Sequence, residues 1–323
     1  MQIGIIGAGA VGGAFAAVLA GSGHSVEVTA RGAHLAAIRD GGLRLRGAFG
    51  SVDAVVTASE NLTRTPDLAI LTTKAQDAAA AITANLTHLH GIPLIVVQNG
   101  LDGVATATRL SPSSRVVGGL AMFAASYLSP GEVTVTAPGP TFLGGESALE
   151  VAELLSPPLD IDVVDNFEGA QWSKLVVNQI NALPAITGLS AQEVIGDPRL
   201  RRVVVASMRE NVRVGLARGV RFGDVSGLSD ARLRAFARAP YPLAQVIPLL
   251  MRRRMGAVPN PGSTLQSIHR GQRSEIDYLN GAVVAAGQAV DVPTPVNVAL
   301  VALVHEVESR GQFLTVDEVL SRL

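Results

Sequence analysis

The chain has 323 residues, a length that accommodates two domains of ordinary size. Hydrophobic residues make up 48% of the chain and charged residues 16%, so a large core can be buried. The net charge of -1 argues against nucleic acid or an anionic membrane as a partner, and the apolar runs are too short to span a bilayer. Cysteine is absent, which fits a reducing compartment such as the cytoplasm, and we expect no signal peptide because no basic region precedes the first strand-like run.

Residues 2 to 119 alternate between strand-like and helix-like segments. Their apolar patterns predict strands over 2–6, 25–29, 52–58, 68–72, 93–97 and 115–118. Between most of these strands, the patterns predict helices over 10–20, 34–40, 76–88 and 102–109. Strands that alternate with helices of this length predict an α/β fold with a doubly wound parallel sheet.

The pattern changes after residue 119. Short alternating runs over 133–136 and 141–143, broken by proline and glycine, predict antiparallel strands at the edge of the sheet. From about Phe167 onward the pattern is helical. We therefore predict an N-terminal nucleotide-binding domain over residues 1–166 and an all-helical domain over residues 167–323.

A glycine-rich segment follows the first predicted strand. It reads Gly7-x-Gly9-x-x-Gly12 and leads directly into the first predicted helix. Gly7 permits a tight turn, Gly9 lets the backbone approach a pyrophosphate, and Gly12 lets the helix pack closely on the strand. The free N–H groups of the helix start favour phosphate, so a Rossmann-type dinucleotide site is preferred over a glycine-rich turn without a ligand.

The second predicted strand bears on the choice of cofactor. Enzymes that use NAD usually end this strand with an acidic residue that binds the ribose hydroxyls. Here the strand ends at Thr29 and is followed by Arg31, whose guanidinium can pair with a 2′-phosphate, while Glu27 lies nearer the middle of the strand. We therefore predict NADP as the cofactor, the alternative being that Arg31 is an ordinary surface arginine.

Lysine is scarce in this chain. Of 26 cationic residues only Lys74 and Lys174 are lysines, and lysine, unlike arginine, can lose a proton near neutral pH when it is desolvated. Lys74 follows the predicted strand over 68–72, and Asn99 follows the strand over 93–97. Ligands bind at the carboxyl ends of parallel strands, so both residues are candidate site residues rather than merely polar loop residues.

The segment WSKLVVNQIN opens the predicted helical domain. On a helix, Lys174, Asn178 and Asn181 would share one face and present an ammonium and two amides together. The neighbouring residues are apolar, so we expect desolvation to lower the pKa of Lys174, as a general acid requires. The alternative is a lysine that extends to the surface.

The second polar cluster of this domain contains Ser263, Glu275, Asp277 and Asn280. Glu275 precedes an apolar residue within a stretch predicted to be helical. It is a candidate site residue, and the alternative is that it is a surface carboxylate. Asp277 and Asn280 are interpreted as structural. The six histidines form no ligand cluster, so we expect no metal.

These segments resemble the ketopantoate reductase family (2-dehydropantoate 2-reductases). The resemblance covers nearly the whole chain and rests on GAGAVG, VTARG, LTTKAQ, VQNGLDG, WSKLVVNQIN, STLQSI, RSEIDYLNG and VPTPVN, which occur in family order. It implies a Rossmann domain and an all-helical domain with a cleft between them. It also implies NADPH-dependent reduction of a 2-keto acid, with 2-dehydropantoate giving pantoate, a step of pantothenate biosynthesis.

The resemblance also implies a role for each candidate residue. Lys174 would donate a proton to the substrate carbonyl oxygen, and it would form the catalytic set with Asn99 and Glu275. Substrate binding would involve Asn99, Asn178, Asn181 and Ser263. Cofactor binding would involve Gly7, Ala8, Gly9, Ala10, Val11, Gly12, Arg31, Lys74, Asn99, Ala124 and Glu275.

Two departures from the family pattern leave the substrate open. Asn181 lies three residues beyond Asn178, where the family usually has four, and Ser267 replaces a more usual acid. The alternatives are a reductase or dehydrogenase for another keto or hydroxy acid and, from another class, a non-catalytic NADP sensor. A homodimer is the assembly considered, although the sequence leaves the oligomeric state open.

Overall fold

A computed structural model describes residues 1–256 and 258–323, and their contacts divide the chain into two units. The first unit is Met1–Phe167 and the second is Glu168–Leu323. The domain boundary predicted from the sequence lies after residue 166.

The first unit contains strands and helices in alternation. Its strands are β1 (Gln2–Ile6), β2 (Ser25–Thr29), β3 (Leu43–Gly47), β4 (Val52–Ala54), β5 (Thr57–Ser59), β6 (Leu68–Leu71), β7 (Pro93–Val97), β8 (Arg115–Ala121), β9 (Ala124–Ser129), β10 (Glu132–Ala137), β11 (Thr141–Gly144) and β12 (Ile161–Val163). Its helices are α1 (Ala10–Gly21), α2 (Gly32–Gly41), α3 (Ala78–Leu89), α4 (Gly103–Leu110) and α5 (Ala148–Leu155).

The main sheet has the strand order β12-β11-β8-β7-β6-β1-β2-β5. The strands from β8 to β5 pair in parallel, whereas β11 runs antiparallel to β8. Its two faces are buried in separate apolar clusters, so neighbouring side chains of one strand serve different clusters: Ile5 of β1 belongs to one and Ile6 to the other. The predicted α/β fold with a parallel, doubly wound sheet is confirmed.

A second sheet of the first unit was not predicted. Its strand order is β4-β3-β10-β9. The prediction of one strand over 52–58 was wrong, because β4 pairs with β3 in the second sheet while β5 pairs with β2 in the main sheet. The chain passes from one sheet to the other at Val55, which is 92% exposed. The segment 133–136 does not lie at the edge of the main sheet, because it belongs to β10, which lies between β3 and β9.

Helix α1 packs against the second sheet as well as the main one, which explains why its sequence is apolar all round. A Cβ atom at Gly13 would lie 2.7 Å from Val133 Cγ2, and one at Gly21 would lie 3.0 Å from Val52 Cγ1. Small residues on this face of α1 therefore allow the second sheet to approach.

The second unit is built from helices. They are α6 (Phe167–Asn178), α7 (Ala182–Thr187), α8 (Ala191–Gly196), α9 (Pro198–Ala217), α10 (Asp230–Arg238), α11 (Tyr241–Ala244), α12 (Val246–Arg254), α13 (Gly262–His269), α14 (Asn280–Gln288), α15 (Pro295–Arg310) and α16 (Val316–Leu320). Two 3₁₀ turns, Gln179–Asn181 and Ile276–Tyr278, interrupt the helices near the candidate site residues. Within the described residues, no helix is both long and apolar enough to cross a membrane.

Candidate active site

The glycine-rich turn of the first unit leaves room for a ligand at one position. Gly7 has a φ of 102°, and its N–H donates to Thr29 Oγ1 over 2.9 Å. A Cβ atom at Gly12 would lie 2.1 Å from the carbonyl oxygen of Gly7, whereas a Cβ atom at Gly9 would meet nothing within 4 Å. Gly7 and Gly12 are therefore required by the turn itself, and Gly9 leaves open space beside it.

The start of α1 is available to an anion. Gly9 is its N-cap residue and, having no side chain, cannot satisfy the first N–H groups of the helix. The predicted cofactor residues Ala8, Ala10 and Val11 belong to this turn and the first turn of α1. Ala8 is buried, and its backbone N–H donates to the carbonyl oxygen of Thr29 over 2.9 Å, so its predicted contact with the cofactor stays a prediction. Open space beside uncapped helical N–H groups fits the pyrophosphate of a dinucleotide.

The two charged residues near the end of β2 lie in different environments. The carboxylate of Glu27 is buried and accepts hydrogen bonds from Ser59 Oγ at 3.1 Å and from Thr63 N and Oγ1 at 2.9 and 2.7 Å. Arg31 is exposed at the N-cap position of α2. The Glu27 carboxylate is therefore hydrogen-bonded in the protein interior. The Arg31 side chain, two residues after the end of β2, is exposed to solvent.

His34, which the sequence analysis did not select, holds the glycine-rich turn. Its Nδ1 accepts from the N–H of Gly131 over 3.0 Å, and its Nε2 lies 2.6 Å from the carbonyl oxygen of Ala8. Because Nδ1 is an acceptor, Nε2 carries the proton and donates to Ala8. Burial lowers the pKa of His34, against the opposing effect of the hydrogen bond to Ala8. A neutral histidine thus connects the turn to the loop between β9 and β10.

Lys74 lies in the loop after β6 and Asn99 in the loop after β7. The side chain of Gln98 links the two loops. Gln98 Nε2 donates to the carbonyl oxygen of Thr73 over 2.7 Å. Thr72 Oγ1 in turn donates to the carbonyl oxygen of Gly7 over 2.7 Å, which joins the loop after β6 to the glycine-rich turn. Since β1, β6 and β7 are neighbours in the sheet, these loops lie side by side at its carboxyl edge. Gln98 was another residue that the sequence analysis did not select.

Ala124 lies elsewhere in the first unit. It is the first residue of β9 and pairs with Ala137 of β10 in the second sheet. Its carbonyl oxygen accepts from Thr136 Oγ1 at 3.3 Å. The predicted contact between Ala124 and the cofactor stays a prediction.

In the second unit, Lys174 lies on α6 among buried apolar residues. Its neighbours Leu175 and Val176 are 1% and 0% exposed. Desolvation lowers the pKa of Lys174 to about 8, and the negative charge of Glu275 opposes this decrease. A lysine of this kind is protonated at neutral pH yet can release its proton readily, which suits a general acid.

The two candidate asparagines lie at a tightened turn. Helix α6 ends at Asn178, and residues Gln179–Asn181 form a 3₁₀ turn rather than a continued α-helix. In a 3₁₀ helix, side chains three residues apart eclipse one another. The three-residue spacing of Asn178 and Asn181 therefore keeps both amides on one side of the turn. An α-helix with the usual spacing of four residues would also keep them on one side.

Asn181 faces the start of α13, next to Ser263. A Cβ atom at Gly262 would lie 2.7 Å from Asn181 Oδ1, and Gly262 has a φ of 71°. Ser263 is exposed, whereas Ser267 is buried and donates from Oγ to the carbonyl oxygen of Ser263 over 3.1 Å. The structure thus brings together Asn181 and the backbone beside Ser263, and it assigns Ser267 to helix packing.

The sequence predicted a helical stretch around Glu275, but this residue does not lie inside an α-helix. It is the N-cap residue of the 3₁₀ turn Ile276–Tyr278 and is partly buried. The turn is placed by Ser274, whose N–H donates to Glu308 Oε1 over 2.8 Å. The negative charge of Glu275 raises the pKa of Lys174 against the effect of burial, so these two groups of the second unit interact electrostatically.

A buried polar network supports the turn between the asparagines. Gln179 Oε1 accepts from Ser207 Oγ at 2.9 Å and from Asn280 Nδ2 at 2.8 Å. Asn297 Oδ1 accepts from Asn280 Nδ2 at 2.9 Å and shares the single hydroxyl proton of Ser207 with Gln179, at 2.9 Å from Ser207 Oγ. Asn297 Nδ2 donates to Glu210 Oε2 over 2.6 Å. Asn280, interpreted from the sequence as structural, is part of this network, which connects the 3₁₀ turn to α9, α14 and α15.

Metal ligands are not grouped in the part of the chain that the structure describes. No set of three or more histidine, aspartate or glutamate side chains there is arranged to hold a metal ion.

A Rossmann-type unit with a dinucleotide turn, followed by a helical unit with a desolvated lysine, is typical of nicotinamide-dependent oxidoreductases. The family model described as "Ketopantoate reductase PanE/ApbA" matches residues 3–147, and the one described as "Ketopantoate reductase PanE/ApbA C terminal" matches residues 166–308. A 2-dehydropantoate 2-reductase of Pyrococcus horikoshii is 30% identical over 320 residues, which cover 96% of this chain and 99% of that protein. The chain belongs to the ketopantoate reductase family.

Solved structures agree with this assignment. The crystal structure of a PanE/ApbA family ketopantoate reductase from Ralstonia eutropha has a TM-score of 0.82 and 30% identity, covering 96% of this chain and 99% of that one. A complex of D-mandelate dehydrogenase with NADH has a TM-score of 0.80 with the same coverage, and at 24% identity it shows the fold alone.

Proposed function

We propose that this protein reduces 2-dehydropantoate to pantoate with NADPH, and that Lys174 supplies the proton. The observation that carries the proposal is the state of Lys174, whose pKa desolvation lowers to about 8 on the helix that ends at Asn178, one turn before Asn181. The family assignment and the 2-dehydropantoate 2-reductases that match nearly the whole chain support the substrate.

The residues of the first unit would hold the cofactor. The turn from Gly7 to Gly12 and the start of α1 would bind the pyrophosphate, and Arg31 would pair with the 2′-phosphate. Lys74 and Asn99 would contact the cofactor from the loops after β6 and β7. When bound, the nicotinamide supplies the hydride that reduces the keto carbon.

The residues of the second unit would handle the substrate. The ammonium of Lys174 would stabilise negative charge on the carbonyl oxygen and transfer a proton from Nζ to it. Asn178, Asn181 and Ser263 would bind the carboxylate and hydroxyl groups and orient the keto acid. Glu275 would keep Lys174 protonated at neutral pH, since its carboxylate raises the pKa of the lysine against the effect of burial.

The test follows NADPH absorbance with purified protein and 2-dehydropantoate, with NADH in parallel. We expect efficient oxidation of NADPH and weak oxidation of NADH. A panel of other 2-keto acids, including a phenyl-substituted one, tests for a different substrate. Tight NADPH binding without turnover on any of these acids would instead favour a non-catalytic NADP sensor.

Location and assembly are also proposals. We propose a cytoplasmic enzyme, because the 323-residue chain has no cysteine and uses a cofactor of the cell interior. We propose a homodimer, which sedimentation equilibrium of the purified protein tests directly. A monomer at micromolar concentration would contradict it.

A further inference from the structure

One face of α9 carries three arginines that take no part in the proposed reaction. Arg202, Arg209 and Arg213 are seven and four residues apart, so they lie on the same side of the helix. Among the ion pairs formed by the described residues, none includes any of the three. Arg202 and Arg213 are exposed, and Arg209 is partly buried.

The three arginines line a pocket of about 500 Å³ together with Tyr241 and Glu210. The guanidinium carbon of Arg202 lies 4.9 Å from the centre of the Tyr241 ring, which holds this arginine over the aromatic face. Among the described residues, the hydroxyl of Tyr241 is buried and has no hydrogen-bond partner. A buried hydroxyl without a partner is costly, so a ligand that accepts its proton would be stabilised.

Glu210 offsets only one of the three positive charges that line this pocket. Its two carboxylate oxygens accept from the N–H groups of Val296 and Asn297 at 2.9 Å each, and one also accepts from Asn297 Nδ2 at 2.6 Å. The three arginine charges therefore face one carboxylate that is already bound to the start of α15. Burial and the charge of Arg213 lower the pKa of Arg209, which shows that the cations repel one another.

The position of Arg209 is determined by the end of α10. Its Nε donates to the carbonyl oxygen of Phe236 over 3.3 Å, its Nη2 donates to that of Ala239, and its guanidinium lies 5.7 Å from the Phe236 ring centre. Arg209 is thus held in place by the protein, whereas Arg202 and Arg213 on either side have side chains that reach solvent.

We propose that this pocket is a binding site for a small, multiply charged oxyanion, a phosphate or a carboxylate compound distinct from the substrate and cofactor of the reductase. Guanidinium groups bind both kinds of oxyanion through paired N–H donors. The excess of two positive charges selects an anion with at least two negative charges. The hydroxyl of Tyr241, a residue that lines the pocket, adds a donor for the anion.

Isothermal titration calorimetry with pyrophosphate and with citrate tests the proposal and distinguishes phosphate from carboxylate ligands. The full-length protein is first saturated with NADP, so that the cofactor site does not bind the probe. We expect one site per chain for at least one probe. The double variant Arg202→Ala/Arg213→Ala should bind it roughly tenfold or more weakly, because two charge-assisted contacts are lost.

The matched control is Arg44→Ala/Arg109→Ala, which removes the same charge from exposed positions of β3 and α4. It should bind the probe as the unmodified protein does, while Tyr241→Phe should bind it several-fold more weakly. Absence of binding to both probes would overturn the proposal. Equal weakening in the two double variants would also overturn it, because the effect would then be one of net charge and not of this pocket.

Discussion

Lys174 illustrates how one side chain acquires a function from its surroundings. Desolvation brings its pKa from 10.5 to about 8, and the Glu275 carboxylate limits the decrease. A general acid must hold its proton before the reaction, and the protonated fraction of Lys174 falls as the pH rises through about 8. We therefore expect kcat for keto acid reduction to be highest below pH 8 and to decline above it.

Two variants test the assignment of this pH dependence. Glu275→Gln removes the charge that raises the pKa of Lys174, so the decline of kcat should begin at a lower pH. Lys174→Ala should lower kcat by about 10²-fold or more, in the range of general acid–base contributions, and leave NADPH affinity almost unchanged. A pH profile that is identical in the Glu275→Gln variant would show that another group titrates.

Arg31 is expected to select the cofactor. Since Glu27 is bound to Ser59 and Thr63, we expect no acidic side chain of β2 to repel a 2′-phosphate. Arg31→Ala should raise KM for NADPH by roughly tenfold, the loss of one charge-assisted contact, and change KM for NADH little. Steady-state kinetics with both cofactors measures this, and Arg109→Ala is the control. An equal increase for both cofactors would contradict a 2′-phosphate contact.

Among the structural elements, the glycine-rich turn contains one glycine that the fold requires, Gly12, and one that the proposed ligand requires, Gly9. A Cβ at Gly12 meets a backbone oxygen at 2.1 Å, while a Cβ at Gly9 meets open space. We expect Gly12→Ala to destabilise the protein by about 1–3 kcal/mol, as overpacking does. Gly9→Ala should leave the melting temperature nearly unchanged and weaken NADPH binding, because the added methyl occupies the space proposed for the pyrophosphate.

Fluorescence titration with NADPH and thermal unfolding provide both measurements for these glycine variants. Gly41→Ala, another substitution into open space, serves as the control and should bind NADPH normally. If Gly9→Ala bound NADPH as tightly as the unmodified protein, the pyrophosphate would have to lie elsewhere.

The 3₁₀ turn Gln179–Asn181 is a second element whose geometry matters for function. Sequence comparison alone suggested that a residue was missing between Asn178 and Asn181. The tighter turn accounts for the spacing, because three residues complete one turn of a 3₁₀ helix. The shortened spacing is therefore compatible with two amides on one side, and it gives no reason by itself to expect a different substrate.

At the scale of the whole molecule, the second unit depends on a buried polar network that spans four elements. Asn297 contacts Ser207, Asn280 and Glu210, and all four residues are at most 5% exposed. Asn297→Ala would remove a side-chain amide that bonds to three buried polar residues, each of which would lose one of its partners. We expect it to lower the free energy of unfolding of the second unit by about 2 kcal/mol, since each lost hydrogen bond contributes about 1 kcal/mol and part of the network remains.

The single tryptophan allows the free energy of unfolding of the second unit to be measured separately. Trp172 lies in α6 of the second unit and is 1% exposed, so its fluorescence during urea unfolding reports that unit. The control Gln312→Ala removes an exposed amide of the same unit and should change the free energy by less than about 0.5 kcal/mol. An unchanged urea midpoint for Asn297→Ala would mean that the network does not stabilise the helices.

The amino-acid sequence by itself determined the features that depend on local spacing. The strand, glycine-rich turn and helix at residues 2–21 follow from the periodicity of apolar residues and from the special conformations of glycine. The parallel main sheet and the helical second half were predicted in the same way. Lys174 was selected because lysine is scarce in the chain and the apolar residues around it predict desolvation, and its segment also resembles one family.

Tertiary structure alone decided the features that join distant parts of the chain. The second sheet pairs β3 with β10 across about ninety residues, and short alternating runs carry no information on their partners. The burial of Glu27, the role of His34, the polar network around Gln179 and the arginine pocket on α9 likewise depend on contacts between separate elements. Such contacts arise from packing, which local periodicity does not encode.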